Sequence, residues 1–290
     1  MKVLSYIFVF HHFRTNMLRK LYLGILKKCK FLPQKYFVKV YYEYYTGKNL
    51  NLDAPKEFNE KIQWLKVFYR PRILNELVDK YAVRQYVKDK IGEHYLNHVI
   101  QITSDVGSID FRSLPQRFVA KATHGCNFNL IVKDKSKLNE FKARLKFRKW
   151  LSKNQYYRGG MEWAYKDIPP RILLEHYLEA SGKTVLDDYK FYCFHGKPMM
   201  VQIDIDRGEK HRRLFLDMSW TPLPFCKGSV PLYDDSVPEP PNFHKMGKLA
   251  EKLADNFPFV RVDLFNVDGA IYFGEMTFYP GDGRQEFIPD

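Results

Sequence analysis

Arg261, Asp263, Glu275 and Thr277 stand in "RVDLFNVDGAIYFGEMTF" (residues 261–278), a stretch otherwise almost wholly apolar or aromatic. Carboxylates rarely sit among such residues without a partner. The stretch reads as two strands joined near Asp268-Gly269. Loop length decides which side chains share a face. A two-residue loop would set Asp263 opposite Gly274 and turn Glu275 to the other face. Asn266-Val267-Asp268-Gly269 suits instead a type I turn with Gly in the left-handed conformation, a three-residue hairpin with a bulge. That register pairs Asn266 with Ala270, Asp263 with Phe273 and Arg261 with Glu275. Alternation then puts Arg261, Asp263, Glu275 and Thr277 on one face. Diagonal positions roughly 7–8 Å apart leave room for an ion between two carboxylates, and Mg²⁺ takes hard oxygen ligands of this kind. A guanidinium on the same face can stabilise charge on phosphoryl oxygens.

Three further residues fit that chemistry. Lys121 follows a short apolar strand and precedes "ATHGCN", where a lysine beside a glycine-bearing loop can neutralise phosphate while backbone N–H groups cradle it. Taken alone, a strand-end lysine is more often an ordinary solvated residue. Lys190 alternates with Tyr189 and Phe191 and shares a face with Tyr192 and Phe194; the plain alternative is an edge-strand lysine that blocks aggregation. Glu175 ends the apolar run Ile172-Leu173-Leu174, and alone reads as a solvated acid at a strand end.

The elements that must position these residues follow from periodicity. Phe58, Ile62, Leu65 and Phe68 or Tyr69 have helical spacing, and residues 73–91 read as one more helix, stopped near Gly92. "FVAKATHGCNFNLIV" (118–132) reads as strand, loop, strand, with a basic helix at about 137–153. "RILLEHYLEA" (171–180) begins as a buried strand, and "DYKFYCFHGKPMMVQIDID" (188–206) is a hairpin turning at His195-Gly196-Lys197-Pro198. A proline-rich loop covers 221–241, and a short helix at 245–256 places Met246, Leu249 and Leu253 on its apolar side. Strands and helices without regular βα alternation predict an α+β fold.

The 290 residues, 45% of them hydrophobic, suffice for a sizeable core. Cys29, Cys126, Cys193 and Cys226 show no paired spacing, which predicts a reducing compartment and no disulfide or zinc framework. The net charge of +14 is uneven: residues 1–50 hold ten Lys or Arg against Glu43 alone. "VLSYIFVF" (3–10) is too short to span a bilayer and lacks a cleavage site. The basic, aromatic segment through residue 45 reads either as a helical extension packed on the body or as an interfacial helix on an anionic membrane. No RNP, zinc or helix-turn-helix signature supports nucleic-acid binding.

Taken in order, these features resemble the ATP-grasp superfamily. The likeness is best where its members carry R-x-D followed by E-x-N-x-x-P-G: this chain has Arg261-Val262-Asp263, then Glu275-Met276-Thr277-Phe278-Tyr279-Pro280-Gly281. "FNEKIQWLK", "DKYAVRQYV", "FVAKATHG", "DYKFYCFHGKP" and "GEMTFYPGDG" resemble the TupA-like family, found with teichuronopeptide, capsule and other surface-polysaccharide synthesis. The resemblance runs from about residue 45 onward. It implies an ATP-grasp fold, two α+β subdomains clamping ATP behind a basic helical extension. The implied divisions are 1–48 for the extension, 49–116 for a helical region, 117–180 for subdomain A and 181–290 for subdomain B.

The resemblance further implies that Lys121 and Lys190 contact the α- and β-phosphates and that the His124-Gly125 loop closes over the triphosphate. Backbone groups of Glu175, His176, Tyr177 and Leu178 would meet adenine, and Glu179 or Asp187 the ribose. Asp263 and Glu275 would bind Mg²⁺, in one or two ions, with Arg261 stabilising the transferring phosphoryl; Thr277 stands where many members have Asn. The implied reaction is ligation of a uronic acid or amino acid to an amine acceptor through an acyl phosphate. The cysteine usage fits a cytoplasmic protein, and on the interfacial-helix reading 1–48 would touch the inner face of the plasma membrane. The alternative is a glycosyltransferase of the same pathways, for which "DID" at 204–206 could be the metal triplet.

Overall fold

A computed structural model describes residues 17–181, 186–205, 212–228 and 237–288. The apolar run at 3–10, Asp206 of the "DID" triplet and the middle of the proline-rich loop lie outside them. Helices come first: α1 (17–26), α2 (Gln34–Thr46), α3 (Phe58–Phe68), α4 (Ile73–Val78) and α5 (Val83–Lys90). In α2 the apolar residues Phe37, Val38, Tyr41 and Tyr42 recur one turn apart and are buried. Gly47 ends the helix in the left-handed conformation, its N–H bonded to the Glu43 carbonyl. α3 opens on a capping box between Glu57 and Glu60.

The single helix expected over 73–91 is broken. The Asp79 carboxylate accepts from the Tyr81 and Ala82 N–H groups at 2.8 and 3.0 Å. That local turn offers the backbone an alternative to continuing α4. Arg171, 2.9 Å from the other Asp79 oxygen, holds the turn in place.

β1 (Val99–Thr103), β2 (Phe118–Ala122), β3 (Asn129–Val132) and β4 (Ile172–His176) form an antiparallel sheet in the order β1-β4-β2-β3. β1 is drawn into it from across the residue-116 division. Phe118, Ala120, Ala122, Ile172 and Leu174 pack on Phe147 and Trp150 of α6 (Glu140–Leu151), and the short α7 (Gln155–Arg158) follows.

The second sheet has the order β10-β9-β5-β6-β7, built from β5 (Asp188–Phe194), β6 (Lys197–Ile205), β7 (Arg212–Asp217), β9 (Phe259–Val267) and β10 (Ala270–Thr277). A short pair, β8 (Cys226–Lys227) with β11 (Phe287–Ile288), stands beside it. On one face Phe191, Val201, Leu216, Val260 and Val262 bury against Phe243, Met246, Ala250 and Leu253 of α8 (Phe243–Ala254). The other face carries the polar residues. Every strand pair among the described residues is antiparallel. A glycosyltransferase metal triplet would stand at a strand end after a Rossmann-like βα unit, which needs parallel strands, and none is formed around Asp204 among the described residues.

The β9–β10 hairpin corrects the expected register. Val267 pairs with Ala270, so the loop is the two residues Asp268 and Gly269, both at positive φ (50° and 89°). This is the primed turn that matches strand twist. Left uninterrupted, it would set Asp263 opposite Gly274 and turn Glu275 toward α8. A bulge at Gly274 shifts the pairing by one, and Glu275 falls opposite Asp263 with Thr277 opposite Arg261. A Cβ on Gly274 would lie 2.9 Å from the Asp263 carbonyl, so the bulge needs glycine.

Candidate functional site

Arg261, Asp263, Glu275 and Thr277 share the polar face, as the sequence predicted by another register. The Arg261 guanidinium grips Asp263 with two bonds of 2.7 Å and reaches Glu275 Oε1 at 3.1 Å and Thr277 Oγ1 at 3.2 Å. Asp263 is 4% exposed. Burial pushes its carboxyl up to about 6 against the pull of Arg261, which leaves it ionised at neutral pH. Burial also works against the charge on Glu275, yet Lys80 and Arg261 hold that carboxyl below its ordinary value.

Lys190 sits on the same face, opposite Asp263 on one side and Gln202 on the other. It is not an edge lysine: β5 is the middle strand, and Lys190 is 6% exposed. Its ammonium donates to Asp188 at 2.7 Å and Asp204 at 2.8 Å. Asp204 also accepts from Arg213 at 2.7 Å, and these two cations hold its carboxyl far below the ordinary range although burial opposes them. Beyond lies Lys227, 3.0 Å from the Tyr192 hydroxyl. Burial, with Arg261 and Arg213 adding, pushes that lysine well below its usual value.

The first sheet presents Lys121 to Glu175 at 2.6 Å, with Arg84 at 3.5 Å from the other Glu175 oxygen. Glu175 is buried, not the solvated strand-end acid its position suggested. The backbone of His176 is spent: its N–H reaches the His98 carbonyl and its carbonyl accepts from Asn97. Tyr177 and Leu178 are half-buried in the segment leaving β4, exposed Glu179 pairs with Arg117, and Asp187 lies half-buried just before β5. The His124 ring turns inward, Nε2 standing 3.1 Å from the Trp150 and Lys153 carbonyls. His124 and Gly125 are both buried, and the exposed part of the loop is Cys126 and Asn127. A Cβ on Gly125 would lie 2.7 Å from the Phe128 ring.

Two groups escaped the sequence reading. Lys80, in the break between α4 and α5, donates to the Gly125 carbonyl at 2.6 Å and thus ties down the glycine loop. Burial lowers its pKa, with the Glu275 charge opposing and the Lys121 charge adding. The signal was present in "DKYAVRQYV", where Asp before Lys forms the helix-breaking turn. Behind the hairpin, Asp282 is held by Lys66 and by Arg284 at 2.7 Å. Glu162 is hydrogen-bonded to it, and burial with the Asp282 charge pushes Glu162 up to about 8.

The donor set suits a hard cation: a positive charge already lies among the oxygens of Asp263, Glu275 and Thr277, supplied by Arg261. Among the described residues no group of three or more His, Cys, Asp or Glu is placed to hold a metal. Two carboxylates would therefore need water or phosphate oxygens to complete an octahedral shell. A cavity of 1240 Å³ lies at the far end of this face, walled by Phe58, Trp64, Phe194, Phe259 and Phe287.

The model of a protein family described as TupA-like ATPgrasp matches residues 60–290. None of the curated proteins compared with the chain matches it. Among solved structures, D-alanine–D-alanine ligase from Bacillus anthracis complexed with ATP shares 15% identity, over 71% of this chain and 55% of that one, at a TM-score of 0.42. The same ligase from Helicobacter pylori shares 13% over 78% and 60%, at 0.41. Phosphoribosylamine–glycine ligase from Thermotoga maritima shares 12% over 70% and 48%, at 0.40. The chain spans between about half and three-fifths of the length of these structures.

Proposed function

The chain belongs to the TupA-like ATP-grasp family, and from that premise we propose that it is an ATP- and Mg²⁺-dependent carboxylate–amine ligase of surface-polysaccharide synthesis. The observation that carries the reading is the single face bearing Arg261, Asp263, Glu275 and Thr277, with Lys190 across the strand. A uronic-acid or amino-acid carboxylate would attack the γ-phosphorus of ATP. The bond to the bridging oxygen breaks, ADP leaves and an acyl phosphate forms. An amine then adds to the acyl carbon, gives up a proton, and displaces phosphate to leave an amide. The uronic acid and the polysaccharide setting rest on the resemblance to TupA-like proteins.

The chain's own residues have defined tasks in this scheme. Lys121 and Lys190 each exchange a carboxylate for phosphate oxygens, Lys121 leaving Glu175 and Lys190 leaving Asp188 or Asp204. Lys80 holds the Gly125 backbone in position as the loop meets the triphosphate. Asp263 and Glu275 would hold Mg²⁺, which when bound supplies charge neutralisation for phosphate oxygens. Arg261 stabilises charge on the phosphoryl group and on the tetrahedral centre.

ADP release from ATP, measured against a panel of amino acids and uronates, tests the reading. We expect Mg²⁺-dependent release with at least one carboxylate–amine pair. Asp263→Asn, Glu275→Gln and Arg261→Met should each lower it by roughly 10²–10³-fold. Full activity in folded Asp263→Asn and Glu275→Gln would exclude this face as the site.

A further inference from the structure

α1 shows solvent the wrong face for a soluble helix. Leu23 is 7% exposed, and Gly24 lies against the Tyr44 ring, where an added Cβ would be 3.4 Å from Cε2. These two residues fix which side is inward. Leu18, Leu21, Tyr22 and Ile25, at helical spacing, point outward and are 57–65% exposed, and Phe31 just beyond is 85% exposed. Single exposed apolar residues need no explanation, but a continuous stripe does.

The surroundings identify what would cover it. Residues 17–48 hold eight Lys or Arg against one acid, Glu43, and that acid is already paired with Arg19. Lys20 within α1 and Lys28 just after it are exposed, whereas Lys27 and Lys30 turn onto the Tyr44 and Phe37 rings. Two copies meeting through this stripe would bring like charges together. An anionic lipid surface takes both features at once: acyl chains receive the apolar stripe, and headgroups receive the ammonium groups at its border. No helix among the described residues is long and apolar enough to cross a membrane, so the contact lies in the plane of the surface.

We propose that the outward face of α1, with Phe31 and the flanking lysines, is a docking surface for an anionic membrane. It is independent of the ligase reading. Co-sedimentation of the full chain with vesicles of phosphatidylcholine alone, or of phosphatidylcholine with phosphatidylglycerol, at low and high salt, tests it. The chain should pellet with the anionic vesicles, less at high salt. Leu18→Ser combined with Leu21→Ser and Ile25→Ser should lower vesicle partitioning at least tenfold while the circular-dichroism spectrum and melting temperature are kept. The proposal is overturned if the triple variant pellets like the parent, if neutral vesicles bind equally well, or if nothing pellets. It is also overturned if the variant splits a dimer in analytical ultracentrifugation, since the stripe would then be an interface between copies.

Discussion

Glu162 keeps a proton that an exposed glutamic acid would have lost. Asp282 takes the negative charge of the pair because Lys66 and Arg284 bond to it directly, while at Glu162 burial and the Asp282 charge outweigh the pull of the same two cations. The sign follows. A carboxyl raised in the folded chain contributes stability that is full below the unfolded value near 4 and is lost as pH rises through about 8. Its contribution to the melting temperature should therefore fall from about pH 4 to about pH 8 and level off above, and Glu162→Gln should flatten that fall. Equal slopes in the two proteins would mean that Glu162 titrates normally. Nothing in the local sequence marks this residue, because its partner comes 120 positions later and meets it only through the fold. The paired motifs were different: R-x-D and E-x-T carry their own spacing, so Arg261, Asp263 and Glu275 were legible from types and alternation. Of the partners of Lys190, Asp188 shares its strand and face, but Asp204 comes from the adjacent strand and was not legible.

At the scale of elements, the hairpin shows how a correct face can come from a wrong register. The sequence argued for a three-residue loop; Asp268-Gly269 closes a two-residue one, and the bulge at Gly274 makes up the difference. Asp-Gly is a strong signal for the tighter turn, and an isolated glycine within a strand is a signal for a bulge. Both were visible, but strand pairing decides between them and is not local. Gly274→Val should drive a side chain into the Asp263 backbone, costing on the order of 1–3 kcal/mol. It should also displace Glu275 from Arg261, so that ADP release falls further than stability does. A variant as active as the parent would show that the bulge does not set the site. The broken helix at Asp79 teaches the same lesson: apolar periodicity carried through 73–91, while one carboxylate accepting two N–H groups ended the helix.

At the scale of the molecule, the division at residue 48 separates what the fold joins. Phe37, Tyr41, Tyr156 and Met161 form one buried cluster, and Val38 and Tyr42 another with Val67. Removing 1–33 takes out Leu23 and the partly buried Leu32, and should lower stability by about 1.5–3 kcal/mol. Removing 1–48 should lower stability by several kcal/mol, about 1.5–3 for each large apolar side chain taken out. Thermal melts of the two truncations decide it, and equal values would return α2 to the extension. The other end of the chain is tied in as firmly. The Gln63 amide donates to the Asp282 and Gly283 carbonyls, and the Asn59 amide donates to the Gln285 carbonyl. Lys66, fully buried, finds its counter-charge 216 residues later. At roughly 5–20 residues per second of synthesis, α3 waits about 10–40 s on the ribosome before the partner that neutralises its lysine exists. During that interval Lys66 stays in water, since burying it without Asp282 would leave an unpaired charge. The docking of α3 is thus among the last steps of the chain's maturation, and an emerging chain stalled before residue 282 presents α3 to chaperones as unfinished surface.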